Sequence, residues 1–543
     1  MIDAHRRPRG PYTVAAALLR ALVPDTSRRS PALVAAHDIE ILAAAPELAG
    51  LVRAGRGTIE AGLSEDERIL VPAPRRTLRL ANGLAEYVRD AVPPGAALVV
   101  CNGDAADPTD TELVEVMMRR IPPTTLSITV YSGGPEPPPD TRDADELWTL
   151  VDRCTREGFL HAAAELGERG MARTEPGGAR WWRFAQRTAT ALGGLGRTSE
   201  ARAVWDRVRS SSQDPAMHAA AAYGTGMLDA RHPDPARRDL GRARSWVNLA
   251  IAISTLLPDP AERAFKLGFD RNGLALVELR QGRLDAALEL VESAIELARE
   301  LGERHPLHRM VLLANRAQLL AGLGHTKEAL EDYGAAIAID PGFPDHYLER
   351  GNLLFKLGRH DDALADFERA IAAGPPLPEA YYNRAELRTV RGDVEGALAD
   401  LGRVIELDPG TVDAYINRAG LLAAAGLDEE AARDVEAGLA LASDSPHLLT
   451  VLGQLETAAG RHAEARTALD RAVALAPDLP AAWGNRGVLR YAMGDVEGAV
   501  SDLTRAIDLQ PQADLYANRA VALRALDRDT EAEADDHRAA HLS

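Results

Sequence analysis

The chain has 543 residues, of which 46% are apolar and 4% aromatic, and a formal charge of −19 from 81 acidic against 62 basic side chains. It is too long for a single hydrophobic core, and so large a surplus of carboxylates repels phosphate backbones, which argues against a nucleic-acid partner. Few aromatics and abundant alanine suit closely packed helices better than sheets.

Arginine supplies nearly all the positive charge, because lysine occurs only at 266, 327 and 356, and the one local basic stretch runs from His5 to Arg9. No apolar stretch of signal-peptide length follows the first residues, and nowhere do about 18 apolar residues run uninterrupted. The expectation is a cytoplasmic chain with no membrane partner. Cys101 and Cys154 have no metal-site spacing and cannot build a disulfide framework, so both are expected to be reduced thiols.

Residues 1–135 read as a small α/β domain. The segments AALVVCNGD and LSITVYSGG look like buried strands, and TDTELVEVMMRR between them like a helix, which together make a βαβ unit. The stretch PPGAALVVCNGDAADPTDTELVEVMMRRIPPTTLSITVYSGG, with its Ala106-Asp107 pair, resembles signal-transducing ATPases between the Mg-binding strand and the next. Where those proteins end the strand in acids, this chain has Cys101 and Asn102; it also lacks a Gly-x-x-x-x-Gly-Lys-Ser/Thr loop and has no lysine before residue 266. The reading is a degenerate NTPase-like domain kept for structure or docking, with no cofactor. The alternative is a nucleotide-responsive regulator that binds ATP by an unconventional route. Asp104, Asp107 and Asp110 are expected to be loop and helix-start residues rather than metal ligands.

Residues 136–146 belong to a proline-rich, acidic stretch expected to be a short stiff linker. Residues 147–309 carry a faded helical repeat, with Gly158, Ala163, Ala189, Gly196 and Ala201 in its pattern.

Over residues 310–543 the repeat is regular. Turn glycines 324, 358, 392, 426, 460 and 494 are 34 apart, Asp527 follows after 33, and Gly282 lies 42 before Gly324, which implies a longer second helix there. A small residue precedes each turn by seven positions, as at Ala385, Gly453 and Gly487, and an alanine follows it by five, as at Ala397 and Ala465. Small residues facing each other across a turn let paired helices approach closely. Prolines 341, 375, 409, 477 and 511 are expected to end the second helices.

This pattern of aromatic, small residue, turn glycine, alanine and terminal proline resembles the tetratricopeptide repeat family. The resemblance implies a mainly α fold, a right-handed solenoid of antiparallel helix pairs following the α/β domain, with one continuous superhelical core.

Two ladders run along the repeat. Six units carry an arginine before the small residue (316, 350, 384, 418, 486, 519) and an aspartate three after the alanine (332, 366, 400, 434, 502, 535). The two units with Leu274 and Leu452 instead have Leu290 and Ala468, so both charges are kept or lost together. That joint loss is what an ion pair bridging the two helices of one hairpin produces. Such pairs, if exposed, are worth only about 0.2 to 1 kcal/mol each and would chiefly orient the helices.

The second ladder is Asn315, Asn383, Asn417, Asn485 and Asn518, each just before the arginine. In tetratricopeptide proteins the first helix lines the concave face, and asparagine here often grips a peptide backbone, so the resemblance implies peptide-binding residues. The residues alone equally allow hydrogen bonds to the neighbouring helix. Tyr347, Tyr381, Tyr415, Trp483 and Tyr516 read as packing residues. The lysines with which one subfamily clamps a C-terminal carboxylate are missing, and an acidic groove favours a neutral or basic segment. The expectation is therefore a non-catalytic interaction scaffold for a protein or peptide partner, with self-association left open.

Overall fold

The computed structural model describes residues 1–55, 75–136 and 139–542. They fall into two compact units, Met1–Ala380 and Tyr381–Ser543.

In the first unit β1 (Ile2–Asp3), β2 (Ala96–Cys101) and β3 (Leu126–Val130) form a parallel sheet in the order β1-β2-β3. Ala96 pairs with Leu126 and Val100 with Val130, with helix Pro108–Arg120 crossing between the two strands, so the βαβ unit stands as read. The two residues of β1 are too few to carry a period, and the sequence reading missed them. Leu98 and Val100 of β2, with Leu113 and Met117 of the crossing helix, share one apolar core with Leu147, Val151 and Cys154 of helix Ala144–Arg156. Burial in that core pushes the Cys154 thiol up to about 12, so it stays protonated and inert.

Residues 137 and 138 of the connector lie outside the described residues. Beyond them, Arg142 donates to the Arg7 carbonyl at 2.9 Å and Asp143 caps helix Ala144–Arg156, so the end of the connector is tied to the chain on both sides. Helices then pair in sequence. Gly158 and Gly196 turn two hairpins at φ 77° and 73°, and Ala163, Ala189 and Ala201 are buried where the faded repeat predicts small residues.

The regular hairpins pair a 13-residue first helix such as Pro344–Lys356 with a 14-residue second such as His360–Ala373. The hairpin before Gly324 differs as its spacing implies, with a second helix, Leu284–Glu300, of 17 residues. Its first helix, Pro260–Arg280, also lengthens, to 21 residues. The turn glycines take φ between 71° and 86°, where a side chain would clash, and Asp527 accepts the strain at φ 55°. A Cβ at Gly453 would meet Leu469 Cγ at 2.3 Å, which is why the small position must stay small.

Second helices end two residues before the predicted prolines, at Ile339, Ala373, Leu407, Leu475 and Leu509. A further set, Pro344, Pro378, Pro446 and Pro480, opens the following first helices, where proline's missing N–H has no partner to lose.

Candidate binding surface on the first helices

All six arginine–aspartate pairs form, and each is bidentate across its own hairpin. Arg350 Nε and an Nη donate to Asp366 at 2.7 and 2.8 Å, and Arg418 donates to Asp434 at 2.7 and 2.6 Å. Arg316, Arg384, Arg486 and Arg519 repeat the geometry with Asp332, Asp400, Asp502 and Asp535. In four hairpins the guanidinium also lies over the ring three residues earlier, most closely Arg486 over Trp483 at 4.7 Å. The aspartate hydrogen bonds push Arg316, Arg350, Arg486 and Arg519 above the ordinary arginine range.

One expectation needs correcting. These are not exposed pairs, because the six aspartates are all buried, Asp366 and Asp502 to 2% exposure. Removing an arginine would leave a buried carboxylate without its counter-charge, which costs far more than breaking a surface pair.

The asparagines share a second geometry. Asn417 donates to Tyr382 Oη at 2.9 Å, Asn315 to Asn272 Oδ1 at 2.8 Å, and Asn485 approaches the Thr450 carbonyl at 3.5 Å. In each case the acceptor stands one residue before the equivalent position of the preceding hairpin, so the carboxamide links consecutive first helices. Asn383 is half-buried, and Asn518, on the last first helix, is exposed. No periodicity in the sequence identifies the acceptor, since Asn272, Tyr382 and Thr450 are chemically unrelated and one of them acts through its backbone.

The sequence reading did not single out a third row. The second residue of successive first helices is Asp345, Glu379, Asp413 and, in the last, Asp514, with His447 and Ala481 interrupting. Within the second unit the phenol of Tyr382 is pushed up by burial and by the negative charge of Glu386 and Asp413, so acids crowd the residue that Asn417 contacts. Tyr347, Tyr415 and Tyr516 are buried as packing residues.

The N-terminal residues compared with an ATPase strand end serve the fold. Asn102 takes a left-handed conformation at φ 56° and donates to Asp3 at 2.8 Å and to the Pro135 carbonyl at 3.0 Å. Asp107 caps its own helix through Thr109 N–H, Asp110 accepts from the N–H groups of Val14 and Ala15, and Asp104 accepts from Gly133. Burial raises Asp110 to about 7.

Tetratricopeptide-repeat family models match residues 270–341, 315–378, 382–446 and 452–528. Residues 270–528 are therefore tetratricopeptide repeats, the class of helical hairpin that forms protein–protein interaction scaffolds. These matches lend no support to the ATPase resemblance of the N-terminal region. Among curated proteins none matches the chain. Solved structures that it resembles include the Cut9–Hcn1 hetero-tetramer of the APC/C (14% identity, TM-score 0.38, covering 74% of this chain and 88% of that one). Yeast Tom70 gives 16% and 0.36, covering 73% and 90%. A tetratricopeptide repeat protein from Parabacteroides merdae gives 20% and 0.36, covering 50% and 99%. No helix among the described residues is long and apolar enough to cross a membrane.

Proposed function

We propose that the chain is a non-catalytic adaptor whose hairpins hold an extended, neutral to basic peptide or partner segment along the first-helix face, in a regulatory or assembly role. The observation that carries this reading is the coincidence of two rows on those helices within each unit: asparagine 315 with acids 345 and 379 in Met1–Ala380, and asparagines 383, 417, 485 and 518 with acids 413 and 514 in Tyr381–Ser543. A carboxamide whose NH2 is committed to the preceding hairpin keeps its oxygen as an acceptor for a peptide N–H. The acids supply attraction without demanding a particular sequence.

The test is capture of a partner by the tagged full chain, compared with Asn383→Ala/Asn417→Ala and with Tyr382→Phe. The phenylalanine variant breaks the same Asn417 hydrogen bond yet leaves the carboxamide in place. A partner retained by Tyr382→Phe and lost by the alanine pair assigns the asparagines to binding. Equal retention by all three removes them from the site, and equal loss makes the inter-hairpin bond itself the requirement.

A further inference from the structure

The short basic stretch His5–Arg9 gains neighbours in three dimensions that the sequence keeps far apart. Arg9, Arg20, Arg142 and Arg153 line one cleft of about 660 Å3 beside β1, with Asp3 on its wall.

The carboxylates around it are too few to balance them. Arg9 and Arg20 share Glu47, at 3.0 and 2.8 Å. Arg142 and Arg169 share Asp140. Arg153 has no ion-pair partner among the described residues, and its Nε, like that of Arg9, is buried without a hydrogen-bond acceptor. Burial, followed by the positive charges of Arg173 and Arg7, depresses Arg169.

Four guanidinium groups that converge on one cleft, one of them without an ion pair among the described residues, mark a place for an anion with several oxygens. The volume lies within the range of small-molecule sites. Asp3 narrows the class further. Its Oδ1 accepts from His5 N–H and Asn102, while its Oδ2 accepts no hydrogen bond from any described residue and is available to a ligand hydroxyl.

We propose that this cleft binds a phosphorylated small molecule bearing hydroxyl groups, of the size of a sugar phosphate or a mononucleotide, with the arginines on the phosphate and Asp3 on a hydroxyl. No lysine or Gly-rich loop is required, because guanidinium forks supply the charge and the donors together.

The experiment is calorimetric titration and thermal shift of the full chain with ribose 5-phosphate, AMP and inorganic pyrophosphate at matched ionic strength. Saturable binding is expected, with affinity lowered at least tenfold in Arg153→Gln, since Arg153 holds no ion pair among the described residues. Asp3→Asn should weaken ribose 5-phosphate and AMP while leaving pyrophosphate unchanged. Absence of binding by all three probes, or equal binding by wild type and Arg153→Gln, overturns the site. Equal loss of all probes in Asp3→Asn overturns the assignment of the hydroxyl.

Discussion

Arg79 and Asp345 are 266 residues apart in the sequence, yet the guanidinium of one lies 3.5 Å from the carboxylate of the other. Arg79 stands on helix Arg76–Ala91 of the N-terminal region and is only 7% exposed along its side chain. Asp345, which accepts from it, and Glu379, an ion-pair neighbour at 3.6 Å, are the second residues of consecutive first helices. The α/β region thus reaches the acidic row of the repeats through one buried cation. Arg79→Ala should cost about 1.5–3 kcal/mol, the scale of hydrogen bonds to charged groups, and should speed amide exchange in helix Pro344–Lys356. Unchanged exchange there would show that the contact holds nothing in place.

The arginine–aspartate clamp makes a sharper prediction. Arg418→Leu leaves Asp434 charged and buried and should destabilise its hairpin by about 3 kcal/mol or more. Adding Asp434→Ala recreates the Leu452 and Ala468 combination that another hairpin already uses, and should recover most of the loss. A double-mutant cycle read by hydrogen exchange in helix Val412–Ala424 measures it, and additive single effects would refute the coupling.

Burial raises the Asp270 carboxyl to about 7, against about 3.9 in an unfolded chain. The folded state therefore holds a proton that the unfolded state has released, so this contribution is complete below about pH 3.9 and is lost as pH rises through 7. Asp270→Asn keeps an acceptor for Ser254, which donates to Asp270 at 2.7 Å. The stability of the variant relative to wild type should rise by about 4 kcal/mol between pH 4 and pH 8. His346 has the opposite slope: burial lowers its imidazole to about 4, so its contribution is present above pH 6.5 and fades as pH falls towards 4. His346→Leu should flatten that acid limb in a pH series of melting curves.

Asp527 occupies the left-handed turn that glycine fills in the six preceding hairpins. Asp527→Gly should stabilise the final hairpin by about 0.5–1 kcal/mol, seen as slower exchange in helix Asp529–Leu542. Faster exchange would mean that the aspartate side chain stabilises the turn.

The hairpins were readable because each carries its own boundary signals, as in the glycine of Gly392 or the proline of Pro409. The clamp was readable because Leu452 and Ala468 lose both charges at once. The acceptors of the asparagine row were not, because Tyr382 and Thr450 share a position but no chemistry. Arg79 and the arginine cleft were hidden for a different reason. They join residues such as Arg20 and Arg153 whose separation obeys no period, and only the folded chain brings them together.

The clamp also bears on how such an array can change its length. Both halves of every pair lie 16 residues apart inside one 34-residue block, so a duplication or excision in register carries arginine and aspartate together and strands neither. Copy number can therefore drift without an uncompensated buried charge at the junction. The burden of each such event falls on links between hairpins, such as the asparagine bond and the Arg486–Asp470 contact, which must find new neighbours.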